Sequence, residues 1–394
     1  MHTKPYDPAG NAARIEQLRT RGVDVWGPER VYIGDDVPLH RIEPGAVIFA
    51  ARITGASSWI GSGARIGTSG LAVIHDSQIG SHADVGAGTY ENATLLARVK
   101  TRGFAELRTG TLLEEEAETG HNVGLKNTVF TAAVVAGSNI NFCDVLMTGG
   151  TSRRDHSEVG SGAVHFNFDP RGDKFGSLLG DIRGVLLRSP RIFVGGNVGL
   201  VAPIHLDFGV VVAAGSTVRR DVAENQLVGG GSQQAGPVLY DSTVYRELSG
   251  KLFSTAKLVS NLHALSLWYS SVRIPYADSS ERPPLEGARV RLAEHLRHRV
   301  HEFGKVLEKV EAKGQHFAIT RVRTEICDLL LSDADGTDVP QGFLKHYEVA
   351  RKDKTHVDGV RSLGQDAVAS ASSWLAQKVE SRLQRLRTLL GILE

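Results

Sequence analysis

The residues best suited to chemistry lie in one irregular stretch, residues 147–184, which is rich in Gly, Arg, His and Asp. Loops that interrupt a rigid scaffold are where binding and catalytic residues concentrate. In this stretch His156 lies between Asp155 and Glu158, and a neighbouring carboxylate can fix the tautomer of an imidazole. His156 is therefore a candidate proton acceptor, and an exposed loop histidine is the alternative.

A second histidine of the stretch, His165, follows Val159 by six residues. That interval matches the aliphatic repeat described below, so His165 occupies an inward-facing slot. It is either a second candidate proton acceptor or a histidine packed inside the scaffold. The His and Asp residues of the stretch match no known spacing of metal ligands, so we expect no metal site.

The scaffold that must position these residues is clearest in residues 192–222, IFVGGNVGLVAPIHLDFGVVVAAGSTVRRDV. Aliphatic residues recur there at every sixth position: Val194, Leu200, Leu206, Val212 and Val218. Mostly small residues follow them, as tight turns require. This hexapeptide repeat predicts a parallel β-helix, whose rungs must continue above and below to bury their core. A loop-rich β-sandwich is the alternative, but six residues is not a sandwich period.

The same repeat appears earlier in the chain with slips of register. Its aliphatic–glycine pairs are Ile33-Gly34, Ile60-Gly61, Ile66-Gly67, Ile79-Gly80 and Val85-Gly86. Three consecutive acids, Glu114, Glu115 and Glu116, are interpreted as a solvated turn. Before the repeats, Ala12 to Arg21 predicts a short helix.

After about residue 240 the hydrophobic spacing becomes helical. Helices are predicted over residues 252–268, 288–312, 320–331 and 365–393, with Trp374 and the leucine stripes in their core. The expected organisation is a lead-in at residues 1–30, a β-helix domain at 31–238 and an α-helical domain at 239–394.

Composition excludes some classes of protein. Lys and Arg number 45 and Asp and Glu 44, so no bulk attraction to nucleic acid is expected. Two cysteines, Cys143 and Cys327, form no disulfide framework, which favours a reducing compartment. Neither a signal peptide nor a membrane-spanning run is recognisable, so we expect a cytoplasmic protein without a membrane partner.

Several segments, in order, resemble the acetyltransferase half of the bifunctional N-acetylglucosamine-1-phosphate uridyltransferase/glucosamine-1-phosphate acetyltransferase family. Within residues 15–222 they are IEQLRTRGVDVWGPERVYIGDDV, ELRTGTLL, GHNVGLKN, GSGAVHFNFD, VGGNVGLVAP and VAAGSTVRRDV. The resemblance implies a left-handed parallel β-helix. It leaves the helical C-terminal region unexplained. The uridyltransferase half has no counterpart, so we expect no uridyltransferase activity.

The resemblance also implies how the acceptor would bind. Arg108 and Lys126 match the family residues that hold the sugar phosphate, and guanidinium and ammonium groups suit phosphate oxygens. Asn167 matches the asparagine that orients the sugar, while Phe168 replaces a neighbouring tyrosine. Lys174 corresponds to a further phosphate ligand.

The side that would bind the acyl donor departs from the family. Ser138 stands where the family has its catalytic histidine. Gly196 replaces a serine that helps to bind the acetyl donor, and Gly231 falls near the place of a coenzyme-binding arginine. Ala214 is the one residue of that side that is kept. Because attack of an amine on a thioester needs a base, another residue must supply it.

The leading hypothesis is a transferase acting on a sugar phosphate or nucleotide-activated amino sugar, by N-acyl transfer from acetyl-CoA or another acyl-CoA. His156 or His165 would deprotonate the amine. Gly196 and Ala214 would border the thioester arm. Because enzymes of this family trimerise with their clefts between subunits, we expect a homotrimer.

Two other functions stay open. The chain could bind a sugar nucleotide such as UDP-N-acetylglucosamine after losing acetyl transfer. It could also be a transferase whose acyl or aminoacyl donor is bound to a carrier protein, docked by the helical domain. Binding of coenzyme A separates the leading hypothesis from both.

Overall fold

The structure is a computed structural model that describes residues 8–167, 169, 171–229, 244–245, 247–332 and 338–391. Helix α1, Pro8–Thr20, precedes the coil and confirms the helix predicted near Ala12. The predicted boundary between residues 238 and 239, and the residues Phe168 and Gly231, lie outside the described residues.

The β-strands are short and recur along the chain from residue 24 to residue 228. In chain order, β1 to β29 are Asp24–Val25, Val31–Ile33, Val47–Ile48, Ala51–Thr54, Trp59–Ile60, Arg65–Ile66, Ala72–His75, Gln78–Ile79, Asp84–Val85, Gly88–Glu91, Ala93–Leu95, Lys100–Thr101, Ala105–Leu107, Thr111–Leu113, Glu118–Thr119, Gly124–Phe130, Val135–Ala136, Asn141–Met147, Gly150–Ser152, Asp155–His156, Glu158–Val159, Val164–Asn167, Ser177–Leu179, Phe193–Val194, Gly199–Ala202, His205–Leu206, Val211–Val212, Thr217–Val218 and Leu227–Val228.

The strands stack in parallel into a coil with three faces. The first face is the 11-stranded sheet β1-β3-β6-β9-β12-β15-β17-β21-β24-β27-β29. The second face contains β13, β22 and the first residues of β16 and β18. The third face contains β11, β14, β23 and the last residues of β16 and β18. The predicted fold class, a parallel β-helix followed by an α-helical region, is confirmed.

Aliphatic residues fill the inside of the coil at the predicted positions. Val194, Leu200, Leu206 and Val212 are fully buried in one continuous core. A typical turn takes about 18 residues, as between the paired residues Val47 and Arg65. Longer intervals mark insertions, and the largest separates Glu158 from its partner Phe193.

Seven α-helices follow among the described residues. They are α2 Leu248–Trp268, α3 Arg282–Ala312, α4 Phe317–Thr320, α5 Arg323–Leu331, α6 Gln341–Arg351, α7 His356–Arg361 and α8 Gln365–Leu389. Trp374 lies in their core, as predicted. No helix in the described part of the chain is long and apolar enough to cross a membrane.

The helical region packs on the third face of the coil. Outward-facing Leu112, Val129, Leu146 and Leu178 are buried in the same core as the helices, with α3 against β8, β11, β14 and β16. Burying one such side chain contributes about 1.5–3 kcal/mol. The contact therefore forms a core of its own rather than a loose domain interface.

The acidic turn is buried under this contact, so its interpretation as a solvated turn is wrong. Glu114 is 2% and Glu115 7% exposed. Arg273 forms ion pairs with both carboxylates, and the Tyr269 hydroxyl donates to Glu114 Oε1 at 2.7 Å. The arginine pairs with both acids and balances one of their two charges, and burial raises the pKa of Glu114 to about 7.

Candidate functional site

Basic side chains gather at the corner between the second and third faces. Arg108 directly follows β13 and Lys126 lies in β16, and the pairing of Leu107 with Leu125 stacks the two basic residues on successive turns. Cys143 in β18 pairs with Lys126 on the next turn. Arg108 Nη2 lies 3.9 Å from Cys143 Sγ. The structure thus brings Arg108 and Lys126 together, as the resemblance implies.

Lys174 reaches the same corner on the loop between β22 and β23. Asn167 Oδ1 accepts the Phe175 N–H at 2.8 Å and so closes this loop. Gly176 lets the loop return tightly, since a Cβ there would lie 2.6 Å from the Asp144 carbonyl oxygen. Asn167 therefore positions the segment that carries Lys174.

The charges of Arg108, Lys126 and Lys174 all act on the Cys143 thiol. Burial, followed by the charge of Asp144, raises the pKa of Cys143, while Arg108, Lys126 and Lys174 all act to lower it. Among the described residues, neither the Lys126 nor the Lys174 ammonium group forms a hydrogen bond or ion pair. We call Arg108, Lys126 and Lys174 the cationic corner.

The nearest buried carboxylate does not neutralise the cationic corner. Asp144 Oδ1 pairs with Arg299 Nη2 of α3 at 3.0 Å and accepts from Asn127 Nδ2 at 3.1 Å. Burial raises the pKa of Asp144 in spite of these partners. Asp144 thus forms its ion pair with Arg299, and its charge acts on Lys126 and Lys174 without a direct contact.

His165 is packed inside the coil. Its Nε2 lies 2.7 Å from Ser177 Oγ, and its ring centre lies 6.0 Å from that of Phe142. Burial, and after it Arg299, lowers the pKa of His165 to about 3. This placement favours the packed alternative over a proton acceptor.

His156 lies at a different corner, between the third and first faces. It belongs to the antiparallel hairpin of β19 and β20. Its Nδ1 lies 3.0 Å from the Arg153 carbonyl oxygen and its Nε2 3.9 Å from Glu158 Oε2. Glu158 is thus the carboxylate nearest the imidazole, but the histidine stands apart from the cationic corner.

The residues expected near the acyl donor lie at the remaining corner, between the first and second faces. Gly196 and Ala214 occupy turns on successive coils, and the Gly215 N–H donates to the Gly196 carbonyl at 2.8 Å. Ser138 shares this corner, where its Oγ accepts the His121 N–H at 3.1 Å. The predicted site residues are therefore distributed over three corners.

Residues of α3 beside the cationic corner were missed by sequence reasoning. They are His298, Arg299 and Glu302, whose charges act on one another and on Lys126 and Lys174. Pairs of apolar residues such as Leu112-Leu113 and Val129-Phe130 could have predicted that the third face is covered by another element. A strand that is apolar at consecutive positions is covered on both sides.

Other candidate sites receive less support. Within the described ranges, no three His, Cys, Asp or Glu side chains come together in a way that could hold a metal ion. A cavity of about 300 Å³ between coil and helices is lined by Arg98, Glu115, Arg273 and Tyr347 among others, but by none of the predicted site residues.

Known proteins resemble part of this chain. No protein-family model matches it. The bifunctional protein GlmU of Staphylococcus haemolyticus (strain JCSC1435) is 28% identical over 216 residues, which are 54% of this chain and 42% of the relative. GlmU of Streptococcus pyogenes serotype M18 (strain MGAS8232) is 30% identical over 222 residues, covering 56% and 44%. GlmU of Marinobacter nauticus (strain ATCC 700491 / DSM 11845 / VT8) is 30% identical over 218 residues, covering 54% and 43%.

The matches therefore take in about half of this chain and less than half of each relative's length. A parallel β-helix of hexapeptide repeats occupies about the same share of the chain. Together these findings confirm the resemblance predicted from the sequence: the chain is similar to the hexapeptide-repeat acyltransferases, as its similarity to the GlmU proteins shows.

Proposed function

We propose that the chain is a transferase that binds a sugar phosphate at the cationic corner and transfers an acyl group to an amino sugar. The observation that carries this proposal is the convergence of Arg108, Lys126 and Lys174, of which the two lysines form no ion pair with any described residue. Guanidinium and ammonium groups form charge-assisted hydrogen bonds with phosphate oxygens. The similarity to GlmU supports the acyl-transfer part.

Each residue of the corner has a distinct role in this proposal. Arg108 presents a planar fork that can bind two phosphate oxygens, whereas Lys126 and Lys174 act as point charges. Asn167 uses its carbonyl oxygen to hold the loop. Its amide N–H groups, which donate to no described residue, would donate to a sugar hydroxyl.

The acyl donor would lie against the small residues at the corner between the first and second faces. Gly196 and Ala214 leave a shallow surface there, and an acyl-CoA bound along it would supply the acyl group as a thioester. The matching acceptor is a primary amine of the sugar, whose proton must pass to a base.

Ser138 favours a second candidate function. A serine hydroxyl cannot act as the base by itself, and Ser138 Oγ already accepts a backbone N–H. A protein that binds a sugar nucleotide without acetyl transfer, or one that uses a carrier-bound acyl or aminoacyl donor, would tolerate this residue.

Calorimetric titration of the full chain tests these functions. The ligands are glucosamine-1-phosphate, UDP-N-acetylglucosamine, acetyl-CoA and free coenzyme A. Binding of a sugar phosphate and of coenzyme A supports acyl transfer. Binding of the sugar phosphate alone supports the second candidate, and failure of every phosphate ligand to bind contradicts both.

Variants locate the binding site. Arg108→Ala and Lys126→Ala should each weaken sugar-phosphate binding by about 1–3 kcal/mol, the range for a lost charge-assisted hydrogen bond. Lys100→Ala is the matched control, because Lys100 lies on the first face and pairs with Glu118 at 3.4 Å. Equal affinities in all three variants would remove the cationic corner from the proposal.

We also propose a homotrimer, in keeping with the resembled family. Because the helices cover the third face, contacts between copies would use the first or second face. Light scattering of the purified chain measures the assembly directly, and a stable monomer would contradict a cleft between subunits.

A further inference from the structure

The C-terminal helical region contributes a titratable side chain to the cationic corner. His298 of α3 has a side chain that is 26% exposed, with Nε2 3.7 Å from Asp144 Oδ1. The next residue, Arg299, also donates from Nη1 to the Lys174 carbonyl oxygen at 3.3 Å. This turn of α3 therefore packs against both the strand of Cys143 and the loop of Lys174.

His298 is surrounded mainly by positive charge. Burial, and after it Arg299, lowers the pKa of His298 to about 4. Lys126 and Lys174 lower it as well, and Glu302 opposes them. The titratable and charged groups that act on His298 are Lys126 of β16, Asp144 of β18, Lys174 of the β22–β23 loop, and His295, Arg299 and Glu302 of α3.

The imidazole is available to a ligand. The distance of 3.7 Å to Asp144 is too long for a hydrogen bond, and Arg299 already holds that carboxylate at 3.0 Å. In the described part of the chain the His298 ring has no hydrogen-bonding partner. A partly exposed imidazole thus stands beside two lysines that form no ion pair with the described residues.

We propose that His298 is a fourth ligand-facing residue of the cationic corner, which takes up a proton from solvent when an anion of the phosphate class binds there. An anion between Lys126 and Lys174 would cancel their repulsion of a charged imidazole. The protonated ring would then donate a hydrogen bond to the anion. This inference rests on the proposed function only for the location of the anion.

One consequence is that the anion should bind more tightly as pH falls. If binding raises the proton affinity of His298, protonation must by linkage raise the affinity for the anion equally. A second consequence is that α3 completes the anion site within one chain. The helical region, which the resemblance leaves unexplained, thereby acquires a role in binding.

Sulfate is the probe that tests this inference, because its own charge does not change between pH 5 and 8. Calorimetric titrations of the full chain would be made across that range, in buffers of different ionisation enthalpy so that proton uptake is measured directly. For the wild type we expect at least about fivefold tighter binding at pH 5 than at pH 7.5, with net proton uptake.

Two substitutions of the same residue separate charge from packing. His298→Gln should bind sulfate with less than about twofold dependence on pH, and His298→Lys should bind at pH 7.5 about as tightly as the wild type at pH 5. His301→Gln is the control, since His301 is an exposed histidine of the same helix. Thermal unfolding of each variant verifies the fold.

The outcomes distinguish this inference from the proposed function. If sulfate binding depends on Lys126 but has the same pH dependence in wild type and His298→Gln, the inference is overturned while the anion site stands. If sulfate does not bind, or Arg108→Ala and Lys126→Ala leave it unchanged, the cationic corner fails and the inference fails with it.

Discussion

Among the described residues, the acidic turn and the cationic corner both lie where the coil meets the helices, and they differ in how their charges are matched. At the acidic turn, Glu114 and Glu115 are buried and share the guanidinium of Arg273. At the cationic corner, Lys126 and Lys174 remain partly or fully exposed and have no paired carboxylate among the described residues.

The difference separates a structural cluster from a binding site. Buried charges are tolerated only when partners replace their hydration, so the acidic turn and its arginine must be interpreted as one packed unit. Exposed cations that repel one another gain by attracting an external anion. Substitutions at the acidic turn should therefore change stability, and substitutions at the cationic corner should change anion binding. The contrast would be refuted if substitutions at both clusters changed the same property.

The largest effect is expected at the acidic turn. Arg273→Met keeps the length of the side chain but leaves two buried carboxylates without a cation. Removing one partner of a buried ion pair costs about 3–5 kcal/mol, so we expect a loss of that size in the free energy of unfolding. Urea denaturation followed by circular dichroism measures it.

Arg289→Met is the matched control for this substitution. Arg289 lies on α3, is 53% exposed and pairs with Glu286 across one helical turn. Exposed pairs contribute about 0–1 kcal/mol, so this variant should resemble the wild type. A loss below about 1 kcal/mol in Arg273→Met would show that the acidic turn does not depend on its arginine.

The acidic turn should also make stability depend on pH. Burial raises the pKa of Glu114 from 4.5 to about 7, with Glu115 acting in the same direction and Arg273 against it. Between these values the folded state binds more protons than the unfolded state. The stabilisation is therefore complete below about pH 4.5 and is lost as pH rises towards 7.

Glu114→Gln isolates this effect, because the amide cannot titrate. From pH 5 to pH 7.5, unfolding free energies of the wild type should fall by about 1–3 kcal/mol more than those of the variant. Parallel curves for the two proteins would show that Glu114 is ionised throughout this range.

Much of the fold follows from local sequence patterns. The aliphatic residues at six-residue intervals had to face inward, and Val194 to Val218 do so because each turn repeats the same register. The acidic turn shows the limit of this reasoning. Three adjacent glutamates are typical of a solvated surface, and nothing near them in sequence reveals that Arg273, more than 150 residues later, forms ion pairs with two of them.

The site was predictable in part for the same reason. Arg108 and Lys126 lie on successive turns, so stacking alone brings them together. Lys174 needs a loop whose path is set by Asn167 and Gly176. His298 lies on α3, and the sequence repeat contains no information on how α3 packs against the third face. Local sequence patterns therefore cannot predict a site that combines residues from the coil and from this helix.

The smallest effect on stability is expected at the cationic corner. Lys126 is partly exposed and forms no ion pair with the described residues, so Lys126→Ala removes its repulsion of Arg108 and Lys174 and the outer part of one flexible aliphatic stem. The free energy of unfolding should change by no more than about 0.5 kcal/mol, the usual range for a surface position. Added sulfate should stabilise the wild type more than the variant at equal concentration, because a ligand that binds only the folded state raises its stability according to its affinity. A large loss of stability in Lys126→Ala without sulfate would show that the cationic corner, like the acidic turn, stabilises the fold. Its charges would then not be evidence of a ligand.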